Sequence, residues 1–172
     1  MFTKNGKIAM MLAAIHDPTA NMKIKNYLGT ELFAGYNAQM WPIVQNTSFV
    51  MITNSVGICV GTGTNAATED DYSLQSMITS GLAGVVNVSY QSDNSGESMV
   101  IDLQLTNTSA SEISISEVGW FGNMYGATTA NGSRAQHRAL IFHEVLASPF
   151  VIPAGDVRTI RIVFKAEQDN SI

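Results

Sequence analysis

The side chains able to do acid–base, nucleophilic or metal chemistry are few and widely spaced. Carboxylates gather once, at Glu69-Asp70-Asp71, with Glu144 far along the chain. Two carboxyls held at a fixed separation across one cleft would suit glycoside hydrolysis. Asp70, Asp71 and Glu144 are the candidates for such a pair, but no substrate-positioning signal accompanies them. The acidic run lacks the glycine and distal glutamate of a calcium loop. It reads as the solvated first turn of a short helix, its carboxylates at the positive end of the dipole. His16, His137 and His143 have no Ser or Cys nucleophile in a recognisable elbow. Each is expected to be structural, and His16 suits the end of a helix. Cys59, inside the apolar run Val56–Val60, excludes an intrachain disulfide and a cysteine zinc site and reads as a small buried hydrophobe. Gly61-Thr62-Gly63-Thr64 lacks the Gly-Lys-Ser/Thr ending of a phosphate loop and the third glycine of a dinucleotide fingerprint.

Composition narrows the classes further. Only 13% of residues are charged, about half the usual share, so Ser, Thr, Asn, Gln and Gly must cover the surface. A surface of that kind does little to keep copies apart. The net charge of −5, with Lys and Arg unclustered, argues against a nucleic-acid partner. No apolar run approaches the ~20 residues of a membrane span. Lys4 and Lys7 before Ile8–Ile15 imitate a short signal peptide, but the apolar run is minimal and is expected to stay in the mature protein.

The elements that must position these residues are mostly strands. Ile8, Met11, Leu12 and Ile15 fall at i, i+3, i+4 and i+7, an apolar stripe on a helix that Asp17-Pro18 ends. Residues 1–17 are expected to form a helical attachment segment that docks on the main domain or on a neighbouring subunit, and residues 18–172 a β domain. Strands are expected at Met22–Tyr27, within Leu28–Tyr36, at Trp41-Pro42 as an extended edge, and at Phe49–Thr53 and Val56–Val60. Val85–Tyr90 and Met99–Thr106 alternate around the apolar-free turn Gln91–Ser98 and make a hairpin. Ser111–Phe121 alternates and then becomes continuously apolar, as where a strand passes beneath a second layer. Ala139–Leu146 and Val157–Lys165 are its expected sheet partners. Gly122–Gln136 reads as a long polar loop and the best contact loop, through Met124, Tyr125 and Arg134. Ser148-Pro149 opens another loop, and Ile152–Asp156 reads as a proline turn. The rhythm is that of a mainly β protein, an antiparallel β-sandwich of jelly-roll or Ig-like type with a short N-terminal helix.

Four segments recur in a familiar order: Met1-Phe2-Thr3-Lys4-Asn5-Gly6-Lys7; Gly61-Thr62-Gly63 with Asp71-Tyr72-Ser73-Leu74; Glu117-Val118-Gly119-Trp120-Phe121; and Ser148-Pro149-Phe150-Val151-Ile152-Pro153-Ala154-Gly155. Together they resemble small structural proteins of tailed bacteriophages and prophages, over nearly the whole chain. Trp120 replaces a usual leucine, Ala67 stands where proline is common, and the Gly122–Gln136 stretch is long for the group.

The resemblance implies a non-enzymatic virion component, assembled in the bacterial host cytoplasm. It would be either capsid-associated, as a decoration or head fibre, or a tail or neck subunit. Its expected partners are copies of itself and other virion proteins, with no cofactor, metal, nucleic acid or membrane. The expected contact residues are Ile8, Met11, Leu12 and Ile15 of the helix and Met124, Tyr125 and Arg134 of the loop. The alternative is a receptor- or carbohydrate-binding module on the particle, stacking sugars on Tyr36, Trp41, Met124 and Tyr125.

Overall fold

The computed structural model describes residues 1–15, 22–35, 48–51, 55–93, 96–129, 133 and 135–165, with side chains for all of these but 9, 11–15, 35 and 93. The protein is mainly β, with antiparallel sheets and one N-terminal helix, α1 (Lys4–Ile15). The strands are β1 (Lys23–Lys25), β2 (Glu31–Gly35), β3 (Gly57–Gly61), β4 (Leu82–Asp93), β5 (Gly96–Asn107), β6 (Ile113–Ala127), β7 (Ala135–Ile152) and β8 (Val157–Lys165).

β6 is the spine. One of its edges carries β7 along nearly its whole length, and the other carries β3 at Glu117–Phe121 and β2 at Tyr125–Ala127, with β1 beyond β2. The second sheet has the order β4-β5-β8. Ser111–Phe121 and Ala139–Leu146 do pair as the alternation predicts, but Val157–Lys165 joins β5 in the other sheet.

The two sheets share one hydrophobic core, built from Ile58, Val118 and Trp120 of the first and Ile101, Leu103, Leu105 and Ile160 of the second. The opposite face of β6 is covered as well. There Cys59, Leu74, Phe121 and Leu140 make a smaller cluster, which is why β6 loses its alternation after Ser116. Each large apolar side chain fully buried in these layers contributes about 1.5–3 kcal/mol.

Three expectations about loops give way to strands. Gly122–Gln136 is mostly strand, since β6 runs to Ala127 and β7 resumes at Ala135. Its pattern was hidden by Gly122 and Gly126, the second of which lies tight against β2: a Cβ there would press on Leu32. Ser148-Pro149 lies inside β7, in a bulge where Leu146 to Pro149 stand against Ser116 alone, so proline interrupts no ladder bond. The Gln91–Ser98 turn shrinks, because the hairpin strands continue to Asp93 and Gly96. Glu69–Asp71 forms a turn and not a helix. The Ile152–Asp156 turn is present, with Gly155 at φ 73° and the Asp156 N–H donating to the Pro153 carbonyl at 3.1 Å.

The start of the chain is knitted into the main sheet. Phe2 bridges Phe142 as a short antiparallel strand on the outer edge of β7, and the Thr3 N–H donates to the Ile141 carbonyl at 3.2 Å. Thr3 also caps α1, accepting from the Gly6 N–H at 3.3 Å while its hydroxyl donates to the Leu140 carbonyl at 2.6 Å. Gly6 is required by packing, because a Cβ there would collide with the Ile141 carbonyl oxygen. Asn5 completes the junction through Lys25 on β1, donating to its carbonyl at 2.8 Å and accepting from its N–H at 2.9 Å. Of the two dockings expected for this segment, on the main domain or on a neighbouring subunit, residues 1–8 make the first.

Candidate functional site

The most concentrated ionisable group sits on the face of β6 away from the main core. Glu117 and His143 are both fully buried, and Asp71 reaches them from the Gly61–Met77 connection with its side chain 24% exposed. His143 stands opposite Gly119 in the β6–β7 register, and Glu117 lies two residues before Gly119 on the same face. Nδ1 of His143 is 2.7 Å from Asp71 Oδ2, and Nε2 is 3.0 Å from Glu117 Oε2. With a carboxylate on each ring nitrogen, both nitrogens must carry hydrogen, so the ring is an imidazolium.

Glu117 has no acceptor position left. Its Oε1 takes the Gly63 N–H at 3.0 Å and the Ser76 N–H at 2.7 Å; Oε2 takes the Gln75 N–H at 3.0 Å along with His143. Asp71 accepts in addition from the Thr68 N–H and hydroxyl, both at 2.8 Å. Burial opposes charge on all three groups. On His143 the hydrogen bonds and attraction of the two carboxylates outweigh it and hold the pKa above the ordinary 6.5. On Glu117 the His143 bond and the three backbone N–H groups, and on Asp71 the Thr68 and His143 bonds, hold the carboxyls below their ordinary values.

The arrangement fastens: both ring nitrogens of His143 are engaged by carboxylates. The cluster ties the Gly61–Met77 connection to β6 and β7. The glycines of Gly61-Thr62-Gly63 let the backbone approach the carboxylate, since a Cβ on Gly63 would stand 2.7 Å from Glu117 Oε1 and 2.5 Å from Gln75 Cβ. Both parts of the second recurring segment, at Gly63 and Asp71, thus meet the third, Glu117-Val118-Gly119, around one point.

Of the residues singled out in the sequence, Asp71 belongs to this cluster, but with Glu117 and His143 in place of Asp70 or Glu144. Glu69 is paired with Lys7 at 2.6 Å. His143 is structural as expected, through a carboxylate pair that spacing did not reveal. Cys59 is buried and its thiol is pushed up to about 12, chiefly by burial, which leaves it inert. Ile8 and Met124, expected as partner contacts, are instead core residues, because α1 docks on β7 and Met124 points inward from β6. Tyr125 is half-buried on β6. The side chains of Met11, Leu12 and Ile15, and the whole of Arg134, Tyr36, Trp41 and His16, lie outside the described residues.

Two other features bear on function. Arg138, 6% exposed, lays its guanidinium 3.3 Å from the centre of the Phe121 ring and 5.4 Å from that of Tyr27, while its Nε and Nη2 have no hydrogen-bond partner among the described residues. Burial pulls its pKa down to about 10. An apolar cleft of about 480 Å³ opens between β7 and β8, lined by Phe2, Phe142, Ile160, Ile162 and Phe164 with Arg161 and Lys165 at its margin. Among the described residues no group of three or more His, Cys, Asp or Glu side chains is placed to hold a metal ion. Comparison of the chain with protein-family models, with curated proteins and with solved structures finds no match.

Proposed function

We propose that this chain is a non-enzymatic structural subunit, a bacteriophage virion protein acting through protein–protein assembly in a capsid-associated, neck or tail position, with its two sheets forming a β-sandwich. The observation that carries the non-enzymatic part is the saturation of Glu117 and His143. The most reactive-looking cluster among the described residues spends its hydrogen-bonding capacity on holding a loop to a strand pair. Support for assembly comes from the weakly charged surface and from apolar side chains left outside on β4 and β8, among them Val85, Tyr90, Val157 and Val163. The virion assignment rests on the ordered resemblance of the four segments.

Light scattering of the purified chain, from low micromolar concentration upward, tests the assembly reading. A discrete oligomer is expected. A monomer throughout would remove self-assembly and leave a partner-dependent subunit.

The cleft between β7 and β8 favours a second reading, a receptor- or carbohydrate-binding module. Its aromatic lining, with Phe142 and Phe164 rings 4.9 Å apart, suits stacking against an apolar or sugar surface. Specific binding on a glycan array, lost on Phe164→Ala, would establish it; an array without binding would remove the carbohydrate form.

A further inference from the structure

The sheet edges of this protein are treated unequally. The outer edge of β7 is bound by Phe2 and Thr3. The edge of β3 is bound by Ser48 and Val50, with the Ile58 N–H donating to Ser48 at 2.9 Å and the Val50 N–H to Ile58 at 2.8 Å. β1 is three residues long and carries Lys23 and Lys25, and β8 carries exposed Arg158, Arg161 and Lys165. Short length, lysine and covering segments are the usual protections against strand addition.

Among the described residues, β4 has none of them. It runs 12 residues, a backbone edge of roughly 40 Å. Its only strand partner among the described residues is β5, which occupies the opposite edge throughout. The strand contains no proline, lysine or arginine, and its one charge, Asp93, is at the tip. Its outward positions are Ala83, Val85, Asn87 and Ser89, all exposed, with Val85 at 57%.

We infer that the β4 edge receives the β4 edge of a second copy of this chain. The two strands pair antiparallel about a two-fold axis through Asn87, joining two three-stranded sheets into one continuous sheet. The inference rests on the assembly reading above and names its seam. A two-fold contact requires a self-complementary patch, and this one qualifies on charge. Antiparallel pairing sends the two Asp93 residues to opposite ends of the seam, so no like charges face each other. Val85 of each copy then lies across from Ser89 of the other, on the outer face of the sheet.

The full-length chain tests this through three proteins compared by sedimentation velocity over a concentration series, with circular dichroism as the check that each is folded. The wild type is expected to form dimers or multiples of dimers. Val85→Lys with Ser89→Lys places two like-charged cross-strand pairs at the seam and is expected to weaken the association by roughly 10-fold or more. Val85→Lys with Ser89→Glu makes both pairs opposite in charge and is expected to restore it. A folded Lys/Lys variant that associates as tightly as the wild type would overturn the seam while leaving the assembly reading intact. A wild type that is monomeric at every concentration would overturn the seam and self-assembly together, leaving only a partner-dependent subunit.

Discussion

Glu117 and Arg138 lie on the same face of the β6–β7 ribbon, and each carries a charge into the interior, yet the protein handles them in opposite ways. Glu117 meets three backbone N–H groups from the Gly61–Met77 connection and an imidazolium from β7. Arg138 meets the flat faces of Phe121 and Tyr27 and leaves two nitrogens without partners among the described residues. The first charge organises its surroundings and the second is merely accommodated. A buried charge is tolerated when its partners come with it, and otherwise costs desolvation that ring stacking only partly offsets.

The comparison can be broken most forcefully at Glu117. Glu117→Gln puts an amide NH₂ among N–H donors and leaves the His143 imidazolium with Asp71 alone. The expected loss is about 3–5 kcal/mol in chemical denaturation, and a loss under ~1 kcal/mol would show that the cluster holds little. Gly63→Ala attacks the same point from the loop, forcing a methyl against Glu117 and Gln75. About 1–3 kcal/mol is expected from such overpacking, with proteolysis of the Gly61–Met77 connection as a second readout. At the other charge, Arg138→Met keeps the stem and drops the unpartnered nitrogens. It is expected to be neutral or to stabilise by about 1 kcal/mol; a large destabilisation would mean that Arg138 has a partner of its own.

How much of this was legible beforehand follows the same physics. The hairpin β4–β5 and the inward face of β8 are period-2 patterns with one buried face, readable from spacing, and the proline turn before β8 is readable from its turn residues. β6 and β7 were seen only in part. Where side chains are buried on both faces the alternation vanishes, and β6 adds glycines at positions 119, 122 and 126. The pairing of Glu117 with His143 and with the Gly61–Met77 connection was not readable, because it lies in contacts across 26 and 42 residues. A signal was present all the same: each of the two is an ionisable residue at the edge of a strongly apolar run, Val118–Phe121 after Glu117 and Ala139–Phe142 before His143, where burial demands a partner. The bare edge of β4 has no sequence signature beyond missing protections, and becomes visible only when its neighbours are known.

The pH dependence of the cluster has a definite sign. His143, with its folded pKa raised, contributes stability that is fully present below 6.5 and lost as pH rises through the raised value. Glu117 and Asp71, with folded pKa values depressed, contribute stability present above their ordinary 4.5 and 3.8 and lost as pH falls through the lowered values. Stability is therefore expected to be flat between about 4.5 and 6.5 and to fall on either side.

The most direct test is a pH titration of the His143 ring by nuclear magnetic resonance. The account predicts a doubly protonated ring at pH 6.5, both N–H protons protected from solvent exchange, and a midpoint above 6.5. A ring that titrates at or below 6.5 with rapid exchange would contradict it, and would make His143 an available base in place of a fastening.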